Sequence, residues 1–378
     1  MPLQFLILIV LAVAAAILSV LTAIVVVIRK TIDRNRAKTQ ARLYQLYAAR
    51  CSELLLTDLP PLPADSKPSS LFLQYESLIE PTKRSLAGMV ATRRRVHREA
   101  LQQVLVDFAQ DISGDSSRRL VYVFYTLGFV HEELRLTKSR RWWIRANAAR
   151  TLGLLGAKKA IAALTALLED PHPDVRHQAM QSLVKLVGPD ALRTILRISR
   201  NLSRWSAIEL SVVVSSFKGT AVPYLIEALR SRDQSVVLFA AEMLAEIGLV
   251  TAVEPLMHLI RTTIDTAIQA QSLKTLGRLG DERARNLVAD LLKSKVQPVR
   301  LSAMEALGKI SGSEAVEMLK PWLVSRLKEE KLVAARALAT TGVEGIAVLR
   351  AARAENDELT AAIADQVLEE FGAEREEA

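Results

Sequence analysis

The chain has 378 residues, of which half are hydrophobic and only 5% aromatic, and it carries a net charge of +9. Ala and Leu dominate the apolar set, which favours close-packed helices over sheets. The single cysteine, Cys51, excludes an internal disulfide framework and a cysteine-based zinc site. The charge is unevenly spread: Arg29–Arg150 holds 22 Lys/Arg against 12 Asp/Glu, whereas Thr151 onward holds 28 against 29. The basic excess therefore belongs to the N-terminal third, and nucleic acid is not an expected partner.

Residues 3–28, LQFLILIVLAVAAAILSVLTAIVVVI, form an apolar run without a charged side chain. About 20 such residues span a ~30 Å hydrocarbon core as a helix, so the run predicts a transmembrane anchor with the lipid bilayer as a partner. No Lys or Arg precedes it, unlike the basic start of a cleaved signal peptide. Arg29, Lys30, Arg34, Arg36, Lys38 and Arg42 follow. This cluster predicts a cytoplasmic flank, with the N-terminus outside and the remainder inside a single-pass inner-membrane protein. The same side chains suit anionic head groups.

Residues 29–56 keep helical composition and predict a basic extension of the anchor helix. Pro60, Pro61, Pro63, Pro68 and Pro81 then mark residues 57–82 as a linker, with a short helix around 71–79. Residues 83–141 read as a helical adaptor. Within it, 83–112 has an apolar face, and Arg93, Arg94, Arg95, His97 and Arg98 sit on what is expected to be a solvated face. Residues 116–137 predict a further helical segment. Trp142 and Trp143 are expected to close the end of the following stack against it.

From residue 142 to 357 the chain repeats itself. An apolar anchor recurs at Ile144, Val175, Trp205, Val236, Ile268, Val299 and, weakly, Glu330, with spacings of 31, 30, 31, 32, 31 and 31 residues. The fourth residue on is Ala148, Ala179, Glu209, Ala240, Ser272, Ala303 or Ala334. The eighth is Leu152, Leu183, Val213, Leu244, Leu276, Leu307 or Leu338. Positions i, i+4 and i+8 share one helix face, and the small middle residue lets a neighbouring helix approach. Gly156, Gly248, Gly280 and Gly342 end the first helix, and a second helix brings the chain back. Such a hairpin buries its faces only by stacking on its neighbours. Trp205, at an anchor, is read as packing. Residues 358–378 predict an acidic capping helix with Leu359, Ile363, Val367, Leu368 and Phe371 on its apolar side.

With Ile144-Arg145, Val175-Arg176 and Val299-Arg300 leading their units, residues 142–357 resemble the HEAT-like repeats of the phycobilisome-lyase type. The resemblance implies an all-α fold in which the N-terminal transmembrane helix leads into a right-handed α-solenoid of about seven helical hairpins. It also implies that the Arg after each anchor joins an inter-repeat polar ladder, interrupted at Ser206 and Gln269.

The catalytic motifs are absent: there is no P-loop, GxSxG elbow or HExxH helix. His172 and His177 with Asp170 and Asp174 read as a polar turn rather than a metal site. The single His131-Glu132 pair falls short of the several such pairs that form the di-iron site of deoxyhypusine hydroxylases. The expectation is a non-enzymatic, cofactor-free, membrane-anchored cytoplasmic scaffold. It would bind an unidentified protein partner through its second helices. Candidate groove residues are Arg193, Arg197, Tyr224, Glu227, His258, Arg261 and Glu317. The lyase resemblance implies an alternative, a lyase- or chaperone-like role on a cofactor-bearing protein.

Overall fold

The computed structural model describes residues 3–56, 95–112, 123–125, 127–310, 312–354 and 357–372, without the side chains of 3–17, Asp33, Arg36, 54–56 and Arg95. The linker expected at 57–82, the start of the helix expected at 83–112, residues 116–122 and the tail beyond 372 lie outside the described residues. Two compact units divide the chain, Met1–Ile161 and Ala162–Ala378. Among the described residues there is no strand.

In the first unit α1 (Leu3–Leu56) is continuous, and its C-terminal part packs on α2 (Arg95–Asp111). Tyr47 and Cys51 are fully buried there, and burial pushes the Cys51 thiol up to about 12. The Tyr47 hydroxyl lies 2.9 Å from His97 Nδ1. Arg98 Nε donates to Glu132 at 2.8 Å, and its guanidinium lies 4.5 Å above the Phe129 ring. His97 and Arg98 are therefore not on a solvated face, while Arg93, Arg94 and the Arg95 side chain lie outside the described residues. His97 and Arg98 hold α2 against α1 and against α3 (Phe129–Leu136). α3 packs on α4 (Trp142–Leu154). Trp142 and Trp143 stand edge to face at 6.0 Å and are 38% and 52% exposed, so they do not plug a core as expected.

One correction concerns α1. Among the described residues no helix is long and apolar enough to cross a membrane. Residues 3–17 of the expected anchor lie outside the described side chains. The inner-membrane localisation read from the sequence is overturned by this finding. The topology assigned to the basic cluster falls with it. Arg29, Lys30, Arg34, Lys38 and Arg42 are exposed along α1.

The second unit is a stack of hairpins. Its first helices are α6 (Pro173–Val187), α8 (Arg204–Phe217), α10 (Gln234–Ile247), α12 (Thr266–Leu279), α14 (Gln297–Ile310) and α16 (Lys328–Thr340). Each packs on the next, and α18 (Glu358–Glu370) ends the row. The second helices are α5 (Ile161–Leu167), α7 (Ala191–Ile198), α9 (Val222–Ala228), α11 (Val253–Thr262), α13 (Arg285–Leu291), α15 (Ser313–Leu319) and α17 (Val343–Arg353).

The repeating frame explains the core. Val175, Ala179 and Leu183 are buried on α6, and the equivalent triplets are buried on α10, α12, α14 and α16. Each buried Leu contributes roughly 1.5–3 kcal/mol by leaving water. Helix backbones meet five residues beyond the small middle position: a Cβ on Gly277 would lie 2.6 Å from Ala306 Cα, and one on Gly308 2.5 Å from the Ala337 carbonyl. Asp233 and Asp265 cap α10 and α12 by accepting from two backbone N–H groups each.

Three readings of the repeats change. First, α8 is rotated by one position. Leu210 and Val214 are buried, whereas Trp205 is 68% exposed. Trp205 with Ile208 and Val212 forms an exposed apolar stripe instead of packing. Second, the Arg after each anchor is a loop brace before it is a ladder. Arg145, Arg176 and Arg300 donate to the carbonyls of Ser139, Asp170 and Ser294, each six residues upstream. Gln269 does the same to Thr263, so the brace survives where the ladder was expected to break. Third, Leu359 and Phe371 of the cap are 40% and 44% exposed, while Ile363, Val367 and Leu368 are buried.

Candidate partner-binding face

The second helices are short amphipathic pieces with one face in the core. On α7, Leu192, Ile195 and Leu196 are buried, which turns Arg193 and Arg197 outward. On α9, Val222, Leu225 and Ala228 are buried, which leaves Tyr224 half-exposed and Glu227 exposed. α7 and α9 pack side by side. Between them and the joins that follow lies a cleft of about 550 Å³.

Arg193, Arg197, Tyr224 and Glu227 all line this cleft. Arg193 Nε donates to Glu227 Oε2 at 2.9 Å, and its guanidinium lies 5.4 Å from the Tyr224 ring centroid. The Tyr224 hydroxyl donates to Asp190 Oδ1, which raises its pKa, with desolvation adding to the effect. The hydrogen bond to Glu227 likewise raises Arg193. These contacts fix one wall. His258 and Arg261 are exposed on α11 and Glu317 on α15, and none of them lines the cleft.

Sequence reasoning missed the other half of the site. Arg200, Arg230, Arg232 and Asp233 also line the cleft. They sit in the joins after α7 and α9, not on helices. Asp233 Oδ2 accepts from the Asn201 backbone N–H at 2.9 Å, and its Oδ1 accepts from the Ser235 and Val236 N–H groups. The hydrogen bond from the Ser235 hydroxyl, followed by that from Asn201, lowers the Asp233 pKa. The available signal was positional: Arg200 and Arg232 stand about one repeat apart.

His172 and His177 make local contacts. His172 Nδ1 accepts from the Asp174 backbone at the start of α6, and Asp170 accepts from the His172 N–H at 2.9 Å. His177 Nδ1 lies 3.2 Å from Glu209 on α8. Among the described residues no group of three or more His, Cys, Asp or Glu is arranged to hold a metal ion.

No curated protein matches the chain in sequence. An engineered protein of known structure is 20% identical, covering 89% of this chain and 99% of its own, with a TM-score of 0.36. The complex of CpcE and CpcF of phycocyanin lyase from Nostoc is 22% identical, covering 63% and 94%, with a TM-score of 0.28. Human deoxyhypusine hydroxylase is 15% identical, covering 79% and 99%, with a TM-score of 0.28. The family model for HEAT repeats matches residues 133–210 and 264–339. The hairpins of 211–263, between the two matched stretches, follow the same helical plan.

Proposed function

We propose that this chain is a scaffold that binds a partner protein across its second-helix face and has no catalysis of its own. The observation that carries the reading is the cleft between α7 and α9, where a buried apolar floor presents charged and aromatic side chains outward. A stack of hairpins keeps such side chains in register over several repeats, which suits an extended protein surface. The HEAT match supports the same use, because repeats of this kind generally mediate protein–protein contacts.

Site-specific photo-crosslinking in the native host tests it. Crosslinkers replace Arg197, His258 or Glu317 on second helices, and Lys274 or Arg278 on the exposed face of α12. Discrete protein adducts are expected from the first group only. Adducts distributed equally over both groups, or none from the first, would overturn the scaffold reading.

A further inference from the structure

We propose that the α7–α9 cleft binds an acidic peptide segment of the partner protein, its carboxylates held by Arg197, Arg200, Arg230 and Arg232. The proposal rests on the scaffold reading and names the chemistry of the occupant.

The argument begins with an imbalance of charge. Five arginines line the cleft, with Glu227 and Asp233 as its carboxylates. Both acids are already engaged. Glu227 accepts from Arg193, and Asp233 accepts from the backbone of its own helix start and from Asn201. Nearby Asp190 accepts from Tyr224. Among the described residues Arg197, Arg200, Arg230 and Arg232 have no hydrogen bond or ion pair through their guanidinium groups. Four unpaired forks therefore share one concave site.

Geometry selects the ligand. Arg197 and Arg200 come from one repeat, and Arg230 and Arg232 from the next. Neighbouring helices pack at roughly 8–10 Å. An extended peptide rises about 3.3 Å per residue, so acidic side chains about three residues apart would meet successive arginine pairs. The Arg193–Glu227 contact at 2.9 Å shows that this wall accepts a carboxylate in direct hydrogen-bonding geometry. The floor beside the forks is apolar, with Leu196 and Ala228 nearly buried. That suits a peptide with apolar residues between its acids better than a bare polyanion.

Nucleic acid fits less well. Its closely spaced phosphates need a basic track extending beyond one cleft. From Thr151 onward the chain holds 28 basic and 29 acidic residues, so the basic cleft is local.

The test uses the full chain and a fluorescent, Glu/Asp-rich short peptide read by anisotropy. A Lys-for-Glu version and an oligothymidylate of equal charge serve as competitors. The acidic peptide is expected to bind, with affinity falling as salt rises. R197E/R230E, and separately R197Q/R230Q, should weaken it by about tenfold or more. K274E/R278E, on the exposed face of α12 away from the cleft, should change it by less than about twofold. All four cleft positions are exposed, and circular dichroism checks that helix content is retained. Equal losses from both sets of variants, tighter binding of the oligonucleotide, or no peptide binding at low salt would overturn the proposal. If that happens while crosslinks at Arg197 persist, the scaffold reading stands and only the acidic-ligand assignment falls.

Discussion

Arg300 and Glu330 join successive repeats by a two-point contact: guanidinium Nε and Nη2 donate to Glu330 Oε1 at 2.9 and 2.5 Å. Glu330 is 3% exposed and occupies the anchor position that is apolar in most other units. Its second oxygen accepts from the Ser325 hydroxyl at 2.6 Å. Arg300 also braces the preceding join through the Ser294 carbonyl at 2.7 Å.

A buried charge is tolerated only while its partner stays. E330A leaves Arg300 without its carboxylate and should cost about 3–5 kcal/mol in urea unfolding. The double variant R300M/E330L removes both charges and should recover much of that loss. A cost below about 1 kcal/mol for E330A would show that the contact does not hold the repeats together.

The rotation of α8 makes a second prediction. Trp205 lies on the surface and Leu210 in the core. W205A should change stability by no more than about 0.5 kcal/mol. L210A should cost about 2–5 kcal/mol. The reverse order in chemical denaturation would restore the unrotated register.

Most of the stack was legible because burial in a helix repeats every 3.6 residues, and Val175, Ala179 and Leu183 obey that period without exception. The third unit was misread because Trp205 satisfies the apolar pattern by identity alone. Nothing in its sequence position says that Leu210 and Val214, one residue later, face the core. The cleft was half legible. Arg193, Arg197, Tyr224 and Glu227 follow from helix phase. Arg200, Arg230 and Arg232 lie in joins, where chain direction depends on local hydrogen bonds such as Asp233 to Asn201 and no periodicity applies. Contacts such as Tyr47 with His97 span residues far apart in sequence and leave no local pattern.

Lys218 supplies a third prediction. It ends α8 with φ 50° and ψ −132°, in the place where Gly188 ends α6 with φ 69° and ψ −145°. This region is costly for any residue with a Cβ, by about 1–3 kcal/mol. K218G relieves that strain but adds about 0.4–1 kcal/mol of unfolded-state entropy. The net expectation is a gain of about 1 kcal/mol, seen as a higher melting temperature. K218A, which keeps the Cβ, should bring no gain. A melting temperature lowered by K218G would show that the conformation costs nothing.

The last prediction concerns pH. Glu133 on α3 is 1% exposed, its Oε1 accepts from Gln102, and Oε2 has no partner among the described residues. Desolvation raises its pKa from an ordinary 4.5 to about 7, with the Gln102 hydrogen bond opposing and Glu132 reinforcing. The folded chain therefore holds a proton that the unfolded chain releases at lower pH. This favourable contribution is full below about pH 4.5 and is lost as pH rises through about 7. The whole change amounts to about 3 kcal/mol. E133Q keeps the shape and removes the titration. Compared with the parent, it should flatten the stability profile of the first unit between those limits and raise stability at pH 8. Hydrogen exchange of α2 and α3 amides at pH 5 and pH 8 reads the effect locally. Equal protection of the parent at both pH values, after correction for intrinsic exchange, would mean that Glu133 is ionised throughout and that its burial is compensated by hydrogen bonding.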